Sequence, residues 1–167
     1  MDSRAILAAE LPRLRRYARA LVGDRAAADD LVQDTLERAW SRIGQWRPES
    51  DLRAWLFSIM HNLRIDQMRR PTLQTASFEE EDIELPTRAT QTDRRELEDL
   101  AAALAQLPEE QREVLLLVAL EEMSYAEVSA TLDIPPGTVM SRLARGRERL
   151  RLILAGRQPA PRLRVVG

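Results

Sequence analysis

At 167 residues the chain is long enough for one ordinary domain or two small ones, and either can bury a core only if it is compactly helical. It has no cysteine and a single histidine, His61, which excludes disulfide scaffolds and Cys/His zinc sites of the usual ligand count. The formal net charge of −2 argues against a nucleic-acid partner only until it is divided along the chain: residues 1–70 carry +3, residues 71–93 carry −5, and residues 94–167 balance, with +5 concentrated in 136–157.

Leu, Ala, Arg and Glu dominate and strand-like alternation is scarce, so an all-α protein is expected. Every cationic side chain is arginine, which genomic base composition explains at least as well as phosphate recognition does. The N-terminal segment lacks an apolar signal core and no apolar run is as long as a membrane span. A soluble, untargeted, cytoplasmic protein is therefore expected.

The first helical stretch is Ser3–Val22, with Leu7, Leu11, Leu14, Ala18 and Leu21 as its apolar stripe and Arg13, Arg15, Arg16 and Arg19 largely outside it. Gly23-Asp24 ends it and caps the next. A second helix over 25–43 buries Leu31, Val32, Leu36, Ala39, Trp40 and Ile43. It leaves Asp30, Gln33, Asp34, Glu37 and Arg38 as an exposed polar strip, a candidate contact face. The segment 44–51, GQWRPESD, reads as a loop ending in a helix cap. A third helix over 52–70 buries Leu52, Leu56, Ile59, Met60 and Leu63, and three such helices make a small domain. Trp55 reads as core, whereas Trp46, in the loop, suits packing and stacking equally.

Residues 71–93 contain Pro71, Pro86, the acidic run Glu79-Glu-Glu-Asp82 and little helical periodicity, so they read as a linker. Helical pattern resumes at Leu97, Leu100 and Leu104 and stops at Leu107-Pro108. Glu109 and Glu110 after that proline are a helix-start signature. The tail after Gly156, with Pro159 and Pro161, is expected to fray.

The stretch 124–154, SYAEVSATLDIPPGTVMSRLARGRERLRLIL, reads as two helices joined by a tight turn, the outline of a helix-turn-helix DNA reader. Ser124 with Glu127 three residues on forms a capping box for a short helix that buries Tyr125, Val128 and Leu132. Asp133-Ile-Pro-Pro-Gly137 breaks it. From Thr138 a second helix places Val139, Leu143, Gly146, Leu150 and Ile153 on one stripe, where Gly146 permits close approach to a neighbour. The opposite side presents Thr138, Met140, Ser141, Ala144, Arg145 and Glu148, flanked by Arg142 and Arg149 on one edge and Arg147 and Arg151 on the other. Such a face suits a major groove: Met140 and Ala144 against thymine methyls, Ser141 or Arg145 on base edges, the flanking arginines on phosphates. An isolated Arg-rich helix is more often merely solvated; the capped helix and Pro-Pro-Gly turn before it favour the DNA reading.

In this order and spacing, DDLVQDTLERAW (29–40), LRAWLFSIMHNLRIDQMRR (52–70), LPEEQREVLLL (107–117) and SYAEVSATLDIPPGTVMSRLARGRERLR (124–151) resemble bacterial RNA polymerase sigma factors of the extracytoplasmic-function (ECF) group, over nearly the whole chain. One departure is Pro135-Pro136, where many relatives have a single polar capping residue. The resemblance implies two small helical domains: residues 1–70 binding core polymerase and the −10 element, the linker 71–93, residues 94–156 binding the −35 element, and a tail over 157–167.

By that resemblance Asp30, Gln33, Asp34, Glu37 and Arg38 form the surface that docks on the polymerase, although charge alone favours a merely solvated face. Asn62 and the 44–51 loop with Trp46 are implied to capture a flipped base of the −10 element, with Arg53, Arg64, Arg69 and Arg70 holding backbone. The implied partners are core RNA polymerase, promoter DNA and an anti-sigma factor. The chain has no phosphate loop, no cysteine nucleophile and no metal set, and Ser124 is explained as a cap. No catalytic residue, cofactor or metal is expected. The alternative is a sigma-like decoy that sequesters an anti-sigma factor without binding DNA; its mark would be loss of the basic reading helix. A stand-alone repressor would not need the first domain.

Overall fold

The computed structural model describes residues 2–70 and 90–157, and every regular element among them is helical. Helix α1 (Ser3–Val22) starts where the Asp2 carboxylate accepts from the Arg4 N–H at 3.1 Å. It ends at Gly23, whose φ of 79° lets its N–H turn back to the Arg19 carbonyl. Helix α2 (Arg25–Arg42) is capped by Asp24 and runs into a 3₁₀ turn, Ile43–Gln45; α3 (Leu52–Arg69) is capped by Asp51. These three helices pack on the expected stripes, with Leu14, Leu21, Leu31, Leu56 and Met60 all but inaccessible. Tyr17 and Phe57 join them edge to face, ring centres 4.6 Å apart.

The expected burial of Trp40 is corrected: its side chain is 44% exposed, and the Arg4 guanidinium lies 5.2 Å from its ring centre. Ala28, Leu31, Val32, Thr35 and Ala39 form the inner face of α2, and Trp40, one residue on from Ala39, falls beside that face rather than on it. Leu11, Leu36, Leu52 and Leu63 are partly buried against the core rather than within it.

Helix α4 (Gln91–Ala105) opens with a capping box between Thr90 and Asp93, so helical structure starts ahead of residue 94. Helix α5 (Glu109–Ala119) follows Pro108, and α6 (Tyr125–Leu132) and α7 (Pro136–Arg157) complete the second half. Tyr125, expected inside, is 40% exposed; as the first residue of α6 it lies at the helix edge, and Val128, Thr131 and Leu132 take the interior. The acidic run 79–82 and the tail lie outside the described residues. Among the described residues no helix is long and apolar enough to cross a membrane, and no group of three or more His, Cys, Asp or Glu is placed to hold a metal ion.

The two halves pack against each other, α1 on α5 and α3 on α6, within one core cluster that includes Leu14 and Phe57 from the first and Val114, Leu117 and Leu143 from the second. Three charged side chains, those of Arg112, Glu113 and Glu121, are buried where they meet. The Arg112 guanidinium donates to the carbonyls of Leu104 (2.7 Å), Ala105 (3.1 Å) and Leu107 (2.7 Å), and across the seam to that of Leu21. Burial pulls its pKa down, yet the four carbonyls are the partners a trapped cation needs.

Glu121 is less well served. Its carboxylate is buried with no hydrogen bond on either oxygen, and its nearest cation is the Arg13 Nε at 3.4 Å. Burial pushes its pKa above the ordinary glutamate value, and Arg13, Arg16 and Arg53 pull it back only in part. In the interval between the ordinary and the raised pKa the folded protein holds a proton that the unfolded chain has released. Glu121 therefore adds stability at low pH, and that contribution is lost as pH rises through its folded value. The expected result is an unfolding free energy that falls with rising pH just above the ordinary carboxylate range, a slope that Glu121→Gln flattens. Denaturant titration at successive pH values from the ordinary glutamate range upward reads it. An unchanged slope in the variant would assign it to other groups. Exposed Asp93, Glu127 and Glu148, whose pKa values hydrogen bonds hold down, act in the opposite sense and at lower pH.

Candidate nucleic-acid interface

Helix α6 begins at the expected capping box: Ser124 Oγ accepts from the Glu127 N–H at 3.1 Å, and the Glu127 carboxylate accepts from the Ser124 N–H at 3.1 Å. It ends at Asp133, in the left-handed region at φ 54°, where the Ile134 N–H returns to the Ser129 carbonyl and Ser129 Oγ donates to the Ile134 carbonyl. The Pro-Pro start of α7 then has a simple account. Pro136 occupies the first helical position, where a missing N–H costs nothing, and the Pro135 carbonyl accepts from the Thr138 and Val139 N–H groups at 3.0 and 3.2 Å. No side-chain cap is needed.

The inner stripe of α7 is seated as expected on α5. Val139 and Leu143 are buried, and a Cβ at Gly146 would lie 3.2 Å from Leu115 Cδ1 and 3.3 Å from Gln111 Cβ. Glycine thus sets how closely α7 lies on α5, and with it the height at which the outer face stands. On that face Met140, Ser141, Ala144, Arg145 and Arg149 are exposed, Met140 by 57%, while Thr138 is half-buried. Ser141 Oγ donates to the Thr138 carbonyl at 3.2 Å, which leaves its lone pairs outward. Arg145 and Arg149 line a shallow groove with Ala144, Glu148, Leu152 and Gln111. The two outer edges differ: Arg142 leans back to Glu110 at 3.7 Å, and Arg151 is held by Glu148 at 2.7 Å.

In the first half Asp30, Gln33, Asp34, Glu37 and Arg38 are all exposed along α2, and a Gln33 to Glu37 hydrogen bond of 3.3 Å is the one side-chain link among them that the structure records. Asn62 and Arg69 are exposed on α3. Trp46 is half-buried with its indole N–H unpartnered.

Arg53 and Arg64, by contrast, already hold partners from the second half. Arg53 donates to the Glu121 carbonyl at 2.6 Å and lies 3.8 Å from the Glu127 carboxylate; Arg64 grips Glu109 through Nε and Nη2 at 2.7 to 3.1 Å. Between them His61 Nδ1 donates to the Glu113 carboxylate at 2.8 Å. No role follows for His61 from sequence reasoning, because its partner stands 52 residues away.

The geometry is that of an all-α, two-part DNA-binding regulator with an exposed arginine-bearing helix-turn-helix. The Sigma2 domain of PhyR matches residues 7–61 and Sigma-70 region 4 matches residues 97–150. The chain is 42% identical over 151 residues to the ECF RNA polymerase sigma factor EcfG of Rhodopseudomonas palustris, covering 89% of this chain and 82% of that one. To the ECF RNA polymerase sigma factor SigL of Mycobacterium tuberculosis it is 38% identical, covering 84% and 82%. Among solved structures, the sigma factor RpoE of Bartonella quintana, in complex with the anti-sigma factor NepR, superposes with a TM-score of 0.76 at 31% identity over 90% of this chain and 95% of that one. The chain belongs to the ECF RNA polymerase sigma factors.

Proposed function

We propose that the protein binds core RNA polymerase and directs it to promoters whose −35 element α7 reads in the major groove and whose −10 element the first half melts and holds. The observation that carries this reading is the exposed arginine face of α7, raised on a buried stripe that Gly146 sets tightly on α5. The residues proposed for the −35 element are Thr138, Met140, Ser141, Arg142, Ala144, Arg145 and Arg149. Asn62, Trp46, Arg53, Arg64 and Arg69 are proposed for the −10 element. Residues 2–70 then serve polymerase and the −10 element, and the half from α4 onward serves the −35 element. The polymerase performs the chemistry, so the protein is not itself an enzyme; it works in the cytoplasm, and an anti-sigma factor is its expected antagonist. A sigma-like decoy is the second reading, favoured by the first-half match to PhyR, but a decoy has no use for the arginines of α7.

Run-off transcription with core polymerase tests the proposal. Promoter-specific transcripts are expected only when the protein is added, and their absence on every template with a bound holoenzyme would favour the decoy. The docking strip makes a sharper expectation. Replacing Gln33 and Asp34 with alanine should weaken core binding about fivefold, roughly 1 kcal/mol, in a holoenzyme titration. Thermal stability should stay close to the parent's, because both side chains are exposed. A large fall in melting temperature would make the strip structural.

A further inference from the structure

Sulfur chemistry in this chain belongs to methionine alone, since it has five methionines and no cysteine. Among the described residues Met60 and Met123 are sealed in the core, at 1% and 3% exposure, whereas Met68 stands out by 53% at the end of α3 and Met140 by 57% near the start of α7. An oxidant therefore reaches the second pair without entering the core. The two exposed sulfurs differ in their surroundings. Met68 belongs to neither set of DNA-contacting residues. Met140 lies on the outer face of α7 with Ser141, Ala144 and Arg145, and the apolar partner that a major groove offers such a side chain is the methyl group of thymine.

Resting on the −35 role of α7 given above, we propose that Met140 is an oxidation site, at which hydrogen peroxide reversibly abolishes recognition of a thymine in the −35 element. The thioether sulfur attacks one peroxide oxygen; the O–O bond breaks as the S–O bond forms, and the other oxygen takes both protons and leaves as water. Sulfur loses two electrons and the peroxide gains them, so one sulfoxide and one water result. The sulfoxide oxygen is a strong acceptor on a side chain that was apolar. Set against a methyl group it finds no donor, and it must shed its own water to enter the groove, a cost that unoxidised Met140 does not carry. The arginines of α7 keep their charge, so affinity for DNA in general and its salt dependence stay as they were, and sequence preference moves alone. Two sulfoxide epimers form. Each is returned to the thioether by its own stereospecific methionine sulfoxide reductase with a dithiol as reductant, giving a disulfide and water.

The test uses the full chain and a −35 duplex selected from a random library by the untreated protein. After brief treatment with hydrogen peroxide, peptide mass spectrometry should place oxygen on Met68 and Met140 and not on Met60 or Met123, with the circular dichroism spectrum unchanged. Bound duplex should slow the reaction at Met140 and leave Met68 unaffected. Replacing the −35 thymines one at a time with uracil, which lacks only the methyl group, should weaken binding by the untreated protein about fourfold at one position, the effect of one buried methyl group. Oxidised protein should bind the thymine and uracil duplexes alike, and the two reductases together should restore the difference. Met68→Leu should respond to peroxide as the parent does; Met140→Leu, whatever its own affinity, should bind equally before and after treatment. A thymine preference that outlasts full oxidation of Met140 would overturn the proposal, as would a Met140→Leu protein that peroxide weakens as much as the parent. So would equal oxidation of Met140 with and without duplex. Run-off transcription by the untreated protein is independent of these outcomes, and its failure would instead remove the sigma-factor reading.

Discussion

Replacing Arg112 with alanine should lower the unfolding free energy by about 3 kcal/mol, the largest loss expected from any single polar residue of this protein. Three of the carbonyls it serves, those of Leu104, Ala105 and Leu107, lie at the turn between α4 and α5, and the fourth, Leu21, lies in the last turn of α1. Carbonyls at the end of a helix have no partner within it, and burial denies them water. Alanine would leave those of Leu21, Ala105 and Leu107 short of a donor, Leu104 keeping the Leu107 N–H, and open space beneath α5. A cation there also answers the negative ends of two helix dipoles, a term that falls with the same substitution. Arg112→Lys should recover less than half of the loss, because an ammonium on a single stem cannot span a fork of four acceptors. Urea unfolding followed by circular dichroism measures both. Full recovery by lysine would reduce the role of Arg112 to its charge.

Much of this was legible from spacing. The period of Leu7, Leu14, Ala18 and Leu21 and the caps at Asp24 and Asp51 locate the first three helices, since caps and stripes are written in neighbouring residues. Ser124, Glu127 and Gly146 behave as the pattern requires for the same reason. Trp40 and Tyr125 do not: Trp40 falls beside the face that Leu31, Thr35 and Ala39 share, and Tyr125 is the first residue of its helix, where that face begins. The docking of the halves is written in no period. Arg64 with Glu109, His61 with Glu113 and Arg112 with Leu21 pair residues 45, 52 and 91 positions apart, too far for any helical period to relate them. For that reason Arg53 and Arg64 pass, on sequence alone, for free DNA-binding arginines. For Arg53 and Arg64 to hold DNA, these contacts with the second half must open.

On α7 the arginines should separate into distinct classes when DNA binding is measured. Arg145 shares the exposed outer face with Met140, Ser141 and Ala144 and is proposed for a base edge; Arg149 stands one turn on and is proposed for the phosphate backbone. Arg145→Ala should cost about 1–3 kcal/mol on the preferred −35 duplex and should flatten discrimination at one or two positions of it. Arg149→Ala should weaken every sequence alike and reduce the slope of log affinity against log salt by about one. Arg142 is an intermediate case, since it must leave Glu110 at 3.7 Å before it can serve a phosphate, and Glu110→Gln should therefore strengthen binding slightly. Binding to a library of −35 variants at two salt concentrations resolves the three. An equal loss across the whole library for Arg145→Ala would move that residue to the backbone class and leave Ser141, Met140 and Ala144 as the only readers of sequence on the face.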